Sequence, residues 1–272
     1  MCGIAGFVKQ RNVVIGADKL EQLLLQLQNR GHDATGLAYR NDGHIVVCKR
    51  KGAASQVLKD ATFRKQLASA GESPWALFHC RQATNGSPDK ACNNHPIWSD
   101  KGLIIHNGVV WDVPAPITKV GNTDTEDLLR YLDTKGFSGL NEISGTAAFG
   151  YVKFEHPESI YIYTHLAPLA FTANDDAFFF ASTSNMLTRF DKAVGFVVPN
   201  TVFELKQGQA TKIGEYHPKV NYNCLLGNSQ LKETSPFSWK KWLKNRGRHQ
   251  INRKTLSVEK DTAEYCEGSC DV

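Results

Sequence analysis

The sequence predicts an α+β layered domain, and three observations predict it. Short apolar runs bounded by turn residues recur through the first 218 residues, as expected of a chain rich in strands. Between them lie two or three longer segments with apolar residues at 3–4 spacing, the period of an amphipathic helix. Near residue 219 both patterns give way to a basic and then an acidic stretch. Many strands with few helices are accommodated by sheet and helix layers around one core. We therefore place a folded domain at residues 2–218 and a C-terminal extension, peripheral or partly disordered, at 219–272.

The elements follow in order. GIAGFV (3–8) is an apolar run suited to a buried strand. ADKLEQLLLQLQNRG (17–31) spaces Leu20, Leu23, Leu24 and Leu27 as a helix, with Gly31 as its stop signal. TGLAYR and HIVVCKR flank NDG, a strong hairpin signal. A second helix is expected over 54–70. WALFHCR and GLIIHN read as strands separated by the turn-rich NGSPDKACNNHP. Thr123 with Glu126 forms a capping box that starts a helix through DTEDLLRYL. GTAAFGYV, SIYIYT, AFFFAS and TVFELK complete the strands.

Composition narrows the class. Of 272 residues 41% are hydrophobic and 22% charged, ordinary values for a globular protein. No apolar run approaches the ~20 residues of a membrane span. The first residues lack the basic and apolar regions of a signal peptide, so a cytoplasmic location is expected, with no membrane association. Seven cysteines (2, 48, 80, 92, 224, 266, 270) then read as free thiols. The tail pair Cys266 and Cys270 has no second ligand pair nearby, so no zinc site and no other metal is expected. The net charge is +5, of which the tail carries +7 over 232–254 and −4 over 255–272, leaving only about +2 on the remainder. SWKKWLKNRGRHQINRK interleaves Trp239 and Trp242 with this charge. A peripheral helix is the preferred reading, and a nucleic-acid contact the weaker one.

Cys2 poses the chemical question. Removal of Met1 is efficient before a small residue and would leave Cys2 with both a thiol and a free α-amine. Reference pKa values near 8.5 and 7.7–8.0 allow the amine to act as base near neutrality. Nucleophile and base then share one residue. Taken alone, a small cysteine opening a strand reads more simply as a buried side chain.

The motifs downstream change that balance. RGHDATG (30–36), HCRQATNG (79–86), NNHPI (93–97), HNG (106–108) and TDTE (123–126) occur in order after CGIAGF. Together they resemble the class II glutamine amidotransferase domain, an N-terminal-nucleophile (Ntn) hydrolase, and most nearly the glutaminase domain of glucosamine-6-phosphate synthase. The resemblance covers residues 2 to about 213 and implies a four-layer αββα sandwich of two antiparallel sheets. It implies that Cys2 is the nucleophile and that the Asn107 side chain and the Gly108 backbone N–H form the oxyanion hole. It implies that Arg81, with Thr84 beside it, receives the α-carboxylate of L-glutamine and Asp124 its α-ammonium. Arg30, Gly31, Asp33 and Gly36 would support the nucleophile, and His79 and His95 would serve as structural hydrogen-bonding residues. No cofactor is implied.

The bland alternatives are concrete. HNG could be a simple turn, Asp124 a helix-start acid favoured by the macrodipole, and Arg81 a surface ion-pair partner. There are also departures. Gln82 stands where relatives place an aromatic on a mobile loop, Asp112 where an Asn is common, and Asn85 at a variable position. The connection from Asn107 to Asp124 is short.

Relatives of this type continue into a synthase domain, whereas about 55 residues follow the recognisable domain here. No GxxxxGK[ST] phosphate loop occurs. The first expectation is thus a glutaminase subunit that passes ammonia to a separate synthase. The alternatives are a self-contained glutaminase or γ-glutamyl amide hydrolase, and a catalytically idle regulatory or binding subunit.

Overall fold

The structure, a computed structural model, describes residues 1–114 and 119–219. Of the extension expected over 219–272, all but Lys219 lies outside the described residues, as do Cys224, Trp239, Trp242, Cys266 and Cys270.

The chain opens with β1 (Gly3–Lys9), buried at every position, followed by α1 (Ala17–Leu27). The hairpin signal yields β2 (Ala34–Asn41) and β3 (His44–Lys51), with Asn41 opposite His44. Asp42 and Gly43 between them have φ of 46° and 86°, the left-handed pair of a two-residue type I′ turn. The helix expected over 54–70 is two helices, α2 (Ala54–Val57) and α3 (Ala61–Glu72). Asp60 divides them: its backbone is extended and its carboxylate accepts the Thr62 N–H at 2.8 Å, capping α3.

Next come β4 (Trp75–Arg81), β5 (Ile97–Trp98), β6 (Gly102–Trp111) and α4 (Asp124–Lys135). The described chain ends with β7 (Ser144–Lys153), β8 (Ile160–His165), β9 (Ala170–Ala173), β10 (Ala177–Ala181), β11 (Gly195–Phe196), β12 (Thr201–Lys206) and β13 (Gln209–Glu215).

These strands form two sheets, ordered β11-β9-β10-β1-β4-β2-β3 and β13-β12-β8-β7-β6-β5. Every strand pairing within them is antiparallel. The period of 2 along β1 sorts its side chains between two cores. Ile4 and Val8 join the cluster between the sheets, with Leu77, Ile105, Phe180 and Phe203. Ala5 and Phe7 face the other way, into a cluster with Leu20, Leu23, Leu24 and Leu27 of α1 and Phe63 and Leu67 of α3. A third cluster covers the outer face of the second sheet with Leu128, Leu129 and Leu132 of α4. The result is helix, sheet, sheet, helix: the αββα sandwich. Burying each of these leucines contributes about 1.5–3 kcal/mol relative to exposure.

Gly31 has a different role from the helix stop read in the sequence. α1 passes into a 3-10 turn, and Gly31 follows in extended backbone at φ −167°, which any residue adopts. Its lack of a side chain matters for proximity: a Cβ would lie 2.3 Å from the Arg81 carbonyl carbon and 2.5 Å from the Gln82 nitrogen. Gly36 is equally constrained, since a Cβ there would lie 2.0 Å from the His95 carbonyl oxygen. Both glycines let the strand end that carries Arg81 and the segment that carries His95 close onto β2. Gly31→Ala is therefore expected to destabilise the fold by about 1–3 kcal/mol through overpacking, read as a lower denaturant midpoint with an unchanged slope.

Candidate active site

The two sheets bring the start of β1 and the end of β4 up to the middle of β6, where His79 lies 3.0 Å from the His106 carbonyl. In β1, Gly3 lies opposite Cys80 and Ile4 opposite His79, so Cys2 sits beside the end of β4. The half-buried thiol lies 3.4 Å from the Gln82 nitrogen, whose N–H it accepts, and 3.5 Å from the Gln82 carbonyl. The Arg30 guanidinium donates through Nε to the Cys2 carbonyl at 2.8 Å. Met1, 73% exposed, touches the same guanidinium through its sulfur. Asp33 fixes the backbone beyond β4, since its Oδ2 accepts the Ala83 N–H at 2.7 Å and the Gln82 side-chain amide at 3.3 Å. Arg30 and Asp33 thus hold the two chain segments that flank the sulfur.

Burial pushes the Cys2 thiol pKa up. The Gln82 N–H, the terminal ammonium and Arg81 oppose that shift, while Asp124 reinforces it. Two charges distant in sequence, Arg81 and Asp124, thus act on this thiol in opposite directions. Asp124 opens α4 behind Thr123, whose hydroxyl accepts the Glu126 N–H at 3.2 Å. The other half of the capping box is redirected: Glu126 accepts from the N–H groups of Val120 and Gly121 at 2.8 and 2.7 Å. The Asp124 carboxylate accepts the Val110 N–H at 2.9 Å and so ties the helix start to β6.

Arg81 is only 3% exposed and is already engaged. Its Nη1 donates to Asn94 Oδ1 at 3.0 Å, and its Nη2 donates to the carbonyls of Asn85 and of Gly86, the latter at 2.9 Å. Nη2 takes part in either side-by-side pair of donors that a guanidinium offers, so an incoming carboxylate would share that nitrogen with the loop. Thr84 is exposed on this loop.

Asn107 is 1% exposed, and neither its Oδ1 nor its Nδ2 has a hydrogen-bond partner among the described residues. Buried amides are nearly always paired, so this one stands out. Gly108 follows with φ +151°, and a Cβ there would lie 2.0 Å from the Thr146 carbonyl oxygen. HNG is therefore the middle of a ten-residue strand, β6, and not a turn.

Behind this pair lies a buried chain of histidines that joins the sheets. His79 Nε2 is 2.7 Å from His95 Nδ1 and 3.0 Å from the His106 carbonyl, and His106 Nδ1 is 2.9 Å from the Thr125 hydroxyl. Burial holds His79 down at about 3, and His95 and His106 also below their ordinary range. These rings are neutral near pH 7. A neutral His79 protonated at Nε2 shares that one N–H between His95 Nδ1 and the His106 carbonyl, and leaves its Nδ1 as an acceptor without a partner among the described residues.

Sequence reasoning did not assign His106, Thr125, Asn93 or Asn94. Asn93 and Asn94 stand in a stretch rich in turn formers, and nothing in that stretch signals their burial. Among the described residues no group of three or more metal-ligating side chains could hold a metal ion. No described helix is long and apolar enough to cross a membrane.

No protein-family model matches the chain. Curated proteins do. The glutamine–fructose-6-phosphate aminotransferase (isomerizing) of Oceanobacillus iheyensis is 30% identical over 233 residues, which cover 74% of this chain and 36% of that protein. The corresponding protein of Bacillus thuringiensis subsp. konkukian is 28% identical over 255 residues, 86% of this chain and 41% of its own length. The chain belongs to the class II glutamine amidotransferases. Solved structures show the same fold for this amidotransferase domain. Glutamine phosphoribosylpyrophosphate amidotransferase from B. subtilis superposes with a TM-score of 0.60 at 17% identity, over 78% of this chain and 48% of that one. A structure described as the allosteric regulatory enzyme of purine biosynthesis gives 0.62 at 16% identity, over 81% and 50%. These likenesses show the fold, the αββα sandwich of two antiparallel sheets. The chain spans 36–41% of the length of these curated relatives.

The histidine chain makes the domain acid-sensitive. Each ring stays neutral in the fold but takes up a proton near pH 6.5 once unfolded. The unfolded state then binds more protons below that pH, so stability present above about 6.5 is lost as pH falls toward 3. Each such histidine contributes a slope of about 1.4 kcal/mol per pH unit at most. Thermal melts from pH 7.5 to 4.5 should show a falling Tm, and His79→Gln should flatten the curve.

Proposed function

We propose that the chain hydrolyses the side-chain amide of L-glutamine through Cys2, giving glutamate and ammonia for a separate synthase. The observation that carries this reading is the buried amide of Asn107, which has no hydrogen-bond partner among the described residues, together with a guanidinium, Arg81, and a carboxylate, Asp124, whose charges both act on the Cys2 thiol. A zwitterionic amino acid head needs both charges, and a developing oxyanion needs a donor.

The chemistry follows from the groups present. Removal of the exposed Met1 frees the α-amine of Cys2. That amine takes the thiol proton, and the sulfur attacks the glutamine Cδ carbonyl. The tetrahedral oxyanion is received by Asn107 Nδ2 and the Gly108 N–H. The ammonium of Cys2 returns its proton to the leaving nitrogen, ammonia departs, and a γ-glutamyl thioester remains. The amine then draws a proton from water, hydroxide adds to the thioester, and glutamate leaves as the sulfur regains its proton.

Burial that raises the thiol pKa disfavours a resting thiolate and makes a local base useful. The oxyanion also supplies an acceptor for Asn107 Nδ2, which has none among the described residues. An unsatisfied buried donor otherwise costs about 1–3 kcal/mol.

Intact-mass measurement should find Met1 absent, because a retained Met1 would block the base and end this mechanism. Glutamate release from L-glutamine should vanish in Cys2→Ala. In Asn107→Ala, kcat should fall by about 10²–10³ with KM little changed, as for the loss of one oxyanion donor. Co-purification with a synthase whose product formation then depends on glutamine would support the subunit role. A full-rate glutaminase without any partner would favour the self-contained hydrolase.

A further inference from the structure

Four consecutive carbonyls in the loop after β4 turn toward side-chain donors. Those of Asn85 and Gly86 meet Arg81, that of Ser87 meets Asn93 Nδ2 at 3.0 Å, and that of Pro88 meets Asn94 Nδ2 at 2.8 Å. The two asparagines are 0% and 3% exposed, and both ends of each amide are used. Asn94 Oδ1 accepts from Arg81 at 3.0 Å; Asn93 Oδ1 accepts the Asn122 N–H at 2.9 Å, two residues before Asp124. Partner chemistry fixes the amide orientations, since a guanidinium only donates and a carbonyl only accepts. The Asn94 backbone is held in turn by the Lys49 ammonium on its carbonyl at 2.9 Å.

Arg81 ends strand β4 and Asp124 opens helix α4, yet this asparagine pair connects them. One end of the connection is the guanidinium itself, and the other is the backbone that leads into Asp124. We propose that Asn94 is a positioning residue that holds the Arg81 guanidinium at the setting required by the α-carboxylate of the substrate, and thereby selects for a free amino acid head. The inference rests on the glutaminase reading above and names the part of the substrate that Asn94 selects.

The physical reason is competition. The loop carbonyls of Asn85 and Gly86 compete with the substrate carboxylate for Arg81 Nη2, whereas Asn94 engages Nη1 and holds the group against the pull of the loop. A neutral amide acceptor orients the guanidinium without neutralising it, so the positive charge remains for the substrate. Removal of Asn94 Oδ1 leaves a buried guanidinium short of one acceptor, and it turns further toward the loop.

The test compares L-glutamine with its α-amide, in which the carboxylate is replaced by a neutral carboxamide, on the full chain. The wild type should prefer glutamine. Asn94→Ala should lower the ratio of kcat/KM for glutamine over that for the α-amide by about ten-fold, the contribution of one charge-assisted hydrogen bond. The change should appear in KM for glutamine, with kcat for both substrates within about two-fold. A general loosening of the fold would instead lower both substrates alike and leave the ratio unchanged.

Asn94→Asp, nearly isosteric, guards against a folding failure. It places a permanent carboxylate on Arg81 and should lower the ratio at least as far. If either variant melts like the wild type and keeps the ratio within about two-fold, the inference is overturned while the glutaminase reading stands. If the wild type releases no glutamate from glutamine, both fall together.

Discussion

A buried guanidinium organises the site. Arg81 stands at the end of a central strand with almost no access to water, and an ion so placed costs several kcal/mol unless its donors are met. That requirement explains the shape of the following loop, in which the carbonyls of Asn85 and Gly86 turn inward instead of facing solvent. It explains why a polar amide, Asn94, occupies a buried position where an apolar residue would leave one donor empty. It also accounts for Gly31, which must lack a side chain for the turn after α1 to lie against the Arg81 carbonyl.

The sandwich supplies the frame for that ion. β1 lies between β4 and β10, and hydrogen-bonded neighbours on both sides fix the strand that follows Cys2 in register. β6 lies in the other sheet and carries Asn107 and Gly108. The sheets meet across an apolar core, but at this end the contact is polar and runs through His79, His95 and His106. Keeping those rings neutral avoids placing positive charge behind a site that already holds Arg81.

Much of this was legible in the sequence because the signals were local. The Asp42–Gly43 turn, the leucine spacing of α1 and the Thr123 cap depend on neighbours within a few residues, and each forms where expected. The failures were local as well. The 54–70 helix divides because Asp60 is a better cap than a helix interior residue. β13 went unread because QATKIGE is largely exposed and has no alternating apolar face. β5 and β11 are too short to have a period. In the site, the motifs named the residues, but the environment of Arg81 is nonlocal. Whether a guanidinium is open or already gripped depends on residues 4 to 13 positions further along, and composition alone makes Asn93 and Asn94 look like ordinary turn formers.

Chain ends usually fray, and a few added residues are then harmless. This end has no such freedom: β1 begins at Gly3, its strand is buried throughout, and Arg30 grips the Cys2 carbonyl. Met1 ahead of it is nonetheless 73% exposed, so under the proposed chemistry a residue fused ahead of Cys2 acts by blocking the α-amine. An affinity tag at this terminus would act as a tethered inhibitor, and one removed by a protease that leaves a single foreign residue would leave the enzyme silent. Under that chemistry the identity of the first residue would be the on-switch of the whole domain.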